Sequence, residues 1–281
     1  MAGQLYLCAT PIGNLGDISK RVLETLEMVD VIAAEDTRNT IKLLNHFAIH
    51  TPMTSYHEHN KIDKAYSLIR KMEEGANIAL VTDAGTPAIS DPGEVLVAMC
   101  YEAGILVTSL PGPVALITAL TLSGMPTRRF CFEGFLPSDK KERKIILGEL
   151  CRETRTILLY ESPHHLKKTL EELEETLGER ELTICRELTK KFETILRTTL
   201  RQAIQYYQEE NPRGEYVLVI KGKSYEKIQE EEQEKWKAMT LEEHMMFYKE
   251  KGLERKEAMK QVAKDRGVRK REVYQKLINN S

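Results

Sequence analysis

The chain has 281 residues, of which 41% are hydrophobic and 30% are charged, and its formal net charge at pH 7 is -2. This length and composition are typical of a soluble globular protein with room for two domains and a small third unit, and the near-neutral charge excludes nucleic-acid binding over the whole surface. No signal segment and no run of 18 apolar residues occurs, so we expect a cytoplasmic protein without a membrane partner.

Strand and helix patterns alternate through residues 1–113, which predicts an N-terminal α/β domain with a parallel sheet. Strands are predicted at 5–9, 31–34, 78–81 and 105–109, and helices at 18–28, 37–47, 61–74 and 94–103, with a further segment of unassigned type around 53–56. In open α/β sheets the ligand crevice lies at the carboxyl ends of the strands. The loops that leave these strands are therefore the candidate binding loops.

Three of these strands are predicted to be buried and to end in loops rich in proline and glycine. The loops read TPIGNLGD after the first strand, DAGTPAISDPG after the strand at 78–81 and LPGP after the strand at 105–109. Gly85 lets the backbone approach a ligand, and Pro87 and Pro92 stiffen the central loop. One such loop is also compatible with an ordinary strand-to-helix turn, which usually runs only about 2–6 residues, but the pattern occurs three times. Neither GxGxxG nor GxxxxGK[ST] occurs, which disfavours a nucleotide-phosphate cradle.

The segment AEDTR ends the second predicted strand. It places Glu35, Asp36 and Arg38 on the same rim as the proline and glycine loops. Asp36 or Thr37 can also cap the helix that follows, and capping is compatible with substrate contact.

No metal site is predicted. The five cysteines are scattered without a CxxC pair, which indicates free thiols in a reducing cytoplasm. His57, Glu58 and His59 lack the HExxH spacing, and no third ligand is evident, so a polar loop is the favoured interpretation.

A second α/β domain is predicted at 114–223. It opens with a helix at 114–124 that is apolar nearly all round, the predicted connector between the domains. Strands are predicted at 130–135, 156–161, 182–187, 193–199 and 215–220, and helices at 140–151, 166–177 and 200–208. Two strands follow one another without an intervening helix, which predicts a mixed sheet with antiparallel pairs. We expect this domain to face the first across a cleft.

Beyond residue 223 the composition shifts, because residues 226–250 carry a net charge of -4 and residues 251–281 a net charge of +6. Helix patterns at 241–249, 256–265 and 270–278, with a turn at Gly267, predict a three-helix unit of the helix-turn-helix type within 224–281. Its predicted core is Ala258, Val262, Val268, Val273 and Leu277. A phosphate-binding surface is predicted from Lys256, Lys260, Lys264, Arg266, Arg269, Lys270 and Arg271. The alternative is a solvated helix face.

Seven segments of the chain resemble the successive motifs of the ribosomal RNA small subunit methyltransferase I family, in the tetrapyrrole methylase (class III methyltransferase) superfamily. They are TPIGNLGDIS, AEDTR, VTDAGTPAISDPG, LPGP, FEGFLP, YESPHHL and RELTK, in this order between residues 4 and 222. Val114 and His165 depart from the family pattern, which bears on individual contacts. The resemblance implies a two-domain class III methyltransferase fold, S-adenosyl-L-methionine in the cleft between the domains, and a homodimer.

The resemblance also implies the reaction, which is methylation of a cytidine ribose 2′-hydroxyl in small-subunit (16S) ribosomal RNA near the decoding centre, as free RNA or in the assembled subunit. The residues predicted to bind the cofactor are Pro11, Gly13, Asp83, Ala84, Gly85, Thr86, Pro111, Gly112, Ala115, Tyr160 and Glu161. For catalysis we predict Glu35 as the base and Arg38 as a residue that positions RNA, with Glu187 or Lys190 as the alternative from the second domain. A helix cap and ion-pair cluster without proton transfer is the other interpretation of Glu35.

Two further functions are compatible with the sequence. Methylation of a tetrapyrrole carbon occurs elsewhere in the superfamily, but the basic C-terminal unit favours RNA. A ligand-sensing DNA-binding regulator would use the three-helix unit, but it would leave the AEDTR rim without a role.

Overall fold

The computed structural model describes residues 2–279, and in this part of the chain ten strands and twelve α-helices form two sheets and a helical C-terminal segment. Met1, Asn280 and Ser281 belong to the predicted first and third units and lie outside the described residues. Across residues 2–279, no helix combines the length and the apolar character that a membrane span needs.

The first sheet holds five parallel strands in the order β3-β2-β4-β1-β5, which confirms the predicted parallel sheet. The strands are β1 (Gln4–Cys8), β2 (Val31–Ala34), β3 (Met53–Ser55), β4 (Ile78–Val81) and β5 (Leu106–Leu110). The helices that connect them are α1 (Lys20–Met28), α2 (Thr37–His46), α3 (Lys61–Glu73) and α4 (Gly93–Glu102). Because all five strands run the same way, the loops that leave them reach a single rim.

Strand β4 is buried on both faces. Ile78 and Leu80 belong to one apolar cluster and Ala79 and Val81 to the other, as the alternation of side chains in a strand requires. Strand β5 is different, because it lies at the edge of the sheet and its Leu106 is 72% exposed. The prediction of a third buried strand was therefore wrong, since an apolar run does not reveal the position of its strand in the sheet.

The second sheet has the order β6-β7-β10-β8-β9. Its strands are β6 (Phe130–Phe135), β7 (Thr156–Glu161), β8 (Glu181–Arg186), β9 (Thr194–Thr199) and β10 (Tyr216–Ile220). Its helices are α5 (Ala115–Ser123), α6 (Lys140–Leu150), α7 (Leu166–Leu177) and α8 (Leu200–Glu209). Strand β6 is parallel to β7 and the other three contacts are antiparallel, which confirms the predicted mixed sheet. Helix α5 packs on one face of this sheet, with Leu116 and Leu120 in a cluster with Val217 and Val219.

Four helices follow the second sheet. They are α9 (Tyr225–Lys237), α10 (Leu241–Glu250), α11 (Arg255–Asp265) and α12 (Lys270–Asn279). The last three share a core that includes Ala258, Val262 and Val273, with Leu277 packed against it. The sequence pattern did not predict α9. None of its residues is buried, so α9 lacks the buried apolar face by which a helix is recognised in a sequence. Val268 was wrongly assigned to the core, because it lies in the turn between α11 and α12 and is 37% exposed.

Arg266 was predicted to be part of the phosphate-binding surface, but its guanidinium is engaged within the C-terminal segment. Its guanidinium donates to the carbonyl oxygens of Met239 and Thr240, at 2.6 and 2.8 Å, and to Nδ1 of His244 at 3.1 Å. Arg266 therefore joins the end of α11 to the turn before α10. The other six basic residues of the predicted surface are exposed.

Candidate functional site

The three proline and glycine loops are joined by hydrogen bonds on the rim of the first sheet. Thr10 and Gly85 exchange two backbone hydrogen bonds, with N to O distances of 2.9 and 3.0 Å. Thr86 Oγ1 donates to the carbonyl oxygen of Pro113 at 3.1 Å. Gly85 has a φ of +87°, a conformation that L side chains rarely adopt. The loops after β1, β4 and β5 thus form one continuous wall.

Asp91 fixes the conformation of the central loop. Its Oδ1 accepts hydrogen bonds from the backbone N–H groups of Ala88 and Gly93, at 3.0 and 2.8 Å, and its Oδ2 accepts from Ile89 N at 3.1 Å. Ala88 and Ser90 have φ values of 66° and 62°, each a strain of roughly 1–3 kcal/mol that only a well-determined loop retains. The loop is therefore held in shape by its own contacts.

A cavity of about 540 Å³ lies between this rim and the second sheet, within the volume range of roughly 300–1,000 Å³ that small-molecule sites occupy. Ten of the fifteen predicted site residues line it, and both sheets contribute. They are Glu35, Asp83, Ala84, Gly85, Thr86, Ala115, Tyr160, Glu161, Glu187 and Lys190.

Five predicted residues lie elsewhere. Pro11 and Gly13 line a neighbouring cavity of about 340 Å³, and Pro111, Gly112 and Arg38 line neither cavity. A Cβ atom on Gly112 would lie 2.6 Å from the Cβ of Ala9, so this glycine permits close packing of its loop on the end of β1 rather than the approach of a ligand.

Arg38 is exposed and paired with Asp36. Its Nη2 and Nε atoms lie 2.7 and 3.0 Å from Asp36 Oδ2 and Oδ1. Asp36 Oδ1 also accepts from Arg38 N at 2.8 Å and caps α2. These hydrogen bonds from Arg38 lower the pKa of Asp36 to about 2. The capping interpretation of Asp36 therefore holds, and Arg38 projects from the rim rather than into the cavity.

Glu35 is anchored on the first-sheet wall of the cavity. Its Oε2 accepts from Thr82 Oγ1 at 2.6 Å and from Asp83 N at 3.4 Å. Asp83 accepts in turn from Asp36 N and Asn39 Nδ2, both at 3.2 Å. Desolvation, with the charge of Glu35, raises the pKa of Asp83. Within residues 2–279, no hydrogen bond engages the second oxygen of Glu35, Oε1.

The opposite wall carries an ion cluster in the loop between β8 and β9. Lys190 Nζ lies 3.0 Å from Glu187 Oε1 and 2.8 Å from Glu215 Oε2, and Glu215 N donates to Glu187 Oε1 at 3.0 Å. Desolvation acts against the charge of both Glu187 and Lys190, but these hydrogen bonds outweigh it, so the pKa of Glu187 is lowered and that of Lys190 is raised. Lys190 is therefore a stable ammonium group, suited to offset negative charge rather than to accept a proton.

Tyr160 forms the aromatic part of the second-sheet wall. Its hydroxyl accepts from Leu116 N at 3.3 Å, and its ring lies 4.8 Å from Phe132 and 5.6 Å from Phe135 between centroids. Burial raises the pKa of Tyr160. Phe135 lines the cavity although it is 58% exposed.

The sequence pattern assigned no role to Phe135. The only signal was its place in FEGFLP, where it was one apolar residue of a predicted strand. An exposed aromatic ring at the mouth of a cavity becomes visible only when the two sheets are brought together.

Glu161 is 5% exposed and fully engaged by hydrogen bonds. Its Oε1 accepts from Ser162 N at 2.7 Å and its Oε2 from Thr169 Oγ1 at 2.5 Å. Thr169 Oγ1 also accepts from Arg143 Nη2 at 2.7 Å. Glu161 therefore lines the cavity as part of a buried polar network, and its carboxylate has a fixed orientation.

The described chain holds no group of three or more His, Cys, Asp or Glu side chains arranged to bind a metal ion. The lining of the first cavity consists of loop backbone, carboxylates, the ammonium group of Lys190, aromatic rings and aliphatic side chains.

Comparisons with known proteins place these features in context. The model of the family described as Tetrapyrrole (Corrin/Porphyrin) Methylases matches residues 4–204. A protein of Synechocystis sp. named Ribosomal RNA small subunit methyltransferase I is 50% identical over 274 residues, which cover 97% of this chain and 96% of that protein. A protein of Halalkalibacterium halodurans with the same name is 50% identical over 272 residues, covering 97% of this chain and 93% of its own length.

Among solved structures, uroporphyrin-III C-methyl transferase from Thermus thermophilus, complexed with S-adenyl homocysteine, is similar to this chain. Its TM-score is 0.55 at 16% identity, over 77% of this chain and 97% of that one. At this identity the likeness is one of fold.

Proposed function

Because this chain belongs to the family of tetrapyrrole (corrin/porphyrin) methylases, we propose that it transfers a methyl group from S-adenosyl-L-methionine to ribosomal RNA of the small subunit. The observation that carries the substrate is the match at 50% identity, over nearly the whole chain, to proteins named for that reaction. In its finer form, the proposal is methylation of a cytidine ribose 2′-hydroxyl near the decoding centre.

The chemistry of the cavity wall suits S-adenosyl-L-methionine. The cofactor is cationic at its sulfonium, and the wall carries the carboxylates of Glu35, Asp83 and Glu187. The backbone of Gly85 is held in place by its two hydrogen bonds with Thr10, and Asp91 fixes the later part of the same loop. Phe135 and other apolar side chains offer an apolar surface. When bound, the cofactor supplies a methyl group that is already attached to a good leaving group. The protein then has to position the acceptor and remove its proton.

We assign the proton transfer to Glu35. Its Oε2 is occupied by Thr82 and Asp83, so the carboxylate has one orientation and its Oε1 is left to accept the proton of the ribose hydroxyl. Lys190 on the opposite wall would balance negative charge on the attacking oxygen or on a nearby phosphate. Arg38, outside the cavity, would contact the RNA backbone, with Asp36 setting its orientation.

The C-terminal helices would supply further RNA contacts. Helices α11 and α12, with the turn between them, expose the six basic residues Lys256, Lys260, Lys264, Arg269, Lys270 and Arg271. The two helices share one hydrophobic core, which holds the six basic side chains on the same unit. Lysine and arginine side chains on such a surface can neutralise RNA phosphates without reading the sequence. We accordingly propose the boundaries 1–113, 114–223 and 224–281 for the two α/β domains and the RNA-binding unit.

The proposal includes a cytoplasmic homodimer that acts on RNA of the ribosome. Leu106 in the edge strand β5 is 72% exposed, and Tyr101 at the end of the preceding helix α4 is 67% exposed. Such exposed side chains at and near a sheet edge favour association with a second copy. All five cysteines are free thiols, as is usual in a reducing compartment.

The test is an incubation of the purified protein with labelled S-adenosyl-L-methionine and, in parallel, free small-subunit RNA, assembled small subunits and a tetrapyrrole precursor. We expect label in the RNA, at a ribose that resists alkaline cleavage on its 3′ side because its 2′-hydroxyl is blocked. Label in the tetrapyrrole, or on a nucleobase, would contradict the proposal.

A further inference from the structure

A second cavity, of about 340 Å³, opens on the rim beside the first, and Thr82 and Asp83 line both cavities. Pro11 and Gly13, in the loop after β1, form one side of it, and helix α2 forms the other. A chain-like ligand that occupies the first cavity would therefore find the second one next along the rim.

Helix α2 directs three polar side chains at this cavity. Asn39, Lys42 and His46 are spaced by three and four residues and so lie along one face of the helix. Lys42 Nζ contacts Asn39 Oδ1 at 3.4 Å, and the imidazole of His46 packs edge-on against Phe47 at 4.8 Å between centroids. Neither Lys42 nor His46 forms an ion pair with any residue in the part of the chain that the structure describes. Lys42 uses one of its N–H donors on Asn39, so its other two donors and the imidazole of His46 are available to a ligand.

The charge of this cavity is divided along its length. Asp83 is its only acidic lining residue within residues 2–279, and Asp83 is bonded to Asn39 at the end shared with the first cavity. His46 lies seven residues further along α2, which is about 10 Å at 1.5 Å per residue. The end nearer the first cavity is therefore acidic, and the far end is basic.

We propose that the second cavity binds the ribose and phosphate of the nucleotide next to the methylated one, with Lys42 and His46 contacting the phosphate. The inference rests on the proposed function, since the two nucleotides are joined by a phosphodiester bond. An ammonium group is an effective phosphate ligand, and an imidazole N–H can donate to a phosphate oxygen. The basic end of the cavity matches that anion, and the polar Asn39 near its acidic end matches the ribose hydroxyls.

The test compares Lys42→Gln, His46→Gln and the double variant with the wild type, using small-subunit RNA as the substrate. For the double variant we expect KM for RNA to rise about tenfold, which corresponds to roughly 1.4 kcal/mol, while kcat at saturating RNA and the Kd for S-adenosyl-L-methionine stay unchanged. The affinity for RNA decreases as salt increases, and we expect the magnitude of the slope of log K against log salt concentration, between about 50 and 200 mM, to be smaller by about 0.7 for each phosphate that the variant no longer neutralises. Lys42→Arg should retain the wild-type slope.

Lys71→Gln is the matched control, because Lys71 is an exposed lysine of α3 in the same half of the molecule and lines neither cavity. It should leave KM and the salt slope unchanged. An active wild type whose double variant has the same KM and slope would overturn this inference and leave the proposed function intact. A wild type that methylates no RNA would overturn both.

Discussion

Gly13 packs closely against Lys190. A Cβ atom on Gly13 would overlap Lys190 Cγ and would lie 2.8 Å from Thr189 Oγ1. Gly13 follows the first strand of one sheet, and Lys190 belongs to the loop between β8 and β9 of the other. The contact therefore joins the loop after β1 to the second-sheet wall of the first cavity. It requires a residue without a side chain at position 13.

Gly13→Ala should for this reason impair methyl transfer. The added methyl group displaces Lys190 and weakens its contacts with Glu187 and Glu215, and we expect kcat/KM to fall about fivefold to tenfold, or roughly 1–1.4 kcal/mol. Steady-state kinetics with labelled cofactor would measure this. Gly148→Ala is the control, because a Cβ at that helical position meets no atom within 4 Å. Equal kcat/KM for both variants would show that the contact does not matter for catalysis.

Glu35→Gln should slow the chemical step. If Oε1 of Glu35 accepts the proton, single-turnover methylation at saturating RNA and cofactor should fall by about 10²-fold to 10⁴-fold. Thr82→Val, which removes the 2.6 Å hydrogen bond that orients Glu35, should have a smaller effect in the same direction. Glu102→Gln, at an exposed residue of α4, serves as the control. A rate for Glu35→Gln within about threefold of wild type, with the same pH profile, would leave positioning as the source of catalysis.

Gly85→Val should weaken cofactor binding through the backbone. At a φ of +87° a branched side chain is strained, and it points toward Ile12 on the cavity wall, so we expect the Kd for S-adenosyl-L-methionine to rise at least about tenfold, or roughly 1.4 kcal/mol. Gly104→Val imposes similar strain at a φ of +69° with no atom within 4 Å of the Cβ. Calorimetry would measure the cofactor affinity of both variants. A comparable loss of affinity in the Gly104 variant would show that general destabilisation, and not a change in the cofactor site, weakens binding in Gly85→Val.

Gly112→Val, which the loop pattern alone would group with Gly85, should behave differently. Its Cβ meets Ala9 at the end of β1, so the expected loss is in thermal stability rather than in a ligand contact. A variant with wild-type Tm and weakened cofactor binding would contradict this distinction.

The ion cluster of Glu187 and Lys190 predicts a pH-dependent stability. The pKa of Glu187 is below its ordinary value of 4.5, so its stabilising effect is complete above about pH 4.5 and is lost as the pH falls through the lowered pKa. Glu187→Gln should reduce Tm by about 2–4 °C at neutral pH, as expected for roughly 1 kcal/mol, and by progressively less in acid. Glu171→Gln, an exposed position in the middle of α7, is the control. A Tm difference independent of pH down to about pH 3 would contradict the assignment.

Replacing the six exposed basic residues of α11, α12 and their turn by glutamine should weaken RNA binding and leave cofactor affinity unchanged. For single-stranded RNA, the salt slope should fall by about 0.7 for each phosphate that these side chains neutralise in the wild type. Arg266 is left in place because it binds Met239 and Thr240 and supports the fold of the unit. Salt slopes that match those of the wild type would show that this surface does not contact RNA.

The sheets and the rim were predictable because their signals are local. Alternation of strands and helices indicates parallel pairing, and the carboxyl ends of parallel strands lie at one edge of the sheet. This predicted that Glu35, Asp83 and Gly85 lie near one another, and all three line the same cavity. Strand order is not local. The exposure of Leu106 follows only from the edge position of β5, and no pattern within β5 reports it.

The remaining differences concern the direction of side chains. Gly112 resembles Gly85 in sequence, but it faces Ala9 rather than the cavity. Arg266 resembles the neighbouring basic residues, but it donates three hydrogen bonds inside its own unit. Such distinctions depend on which backbone carbonyls and side chains lie nearby, and residue type does not contain that information.

The hydroxyl of Tyr160 has a consequence for motion between the two halves. By accepting from Leu116 N it fastens the start of α5 to the second sheet, while Thr86 holds Pro113 to the first. Val114 and Ala115, the first residue of α5, lie between these two attachments. We expect a hinge that opens the cleft to admit cofactor or release product to bend at this junction, and such a motion would also separate Gly13 from Lys190. Any rotation about the backbone of Val114 carries α5 and the second sheet together as one body.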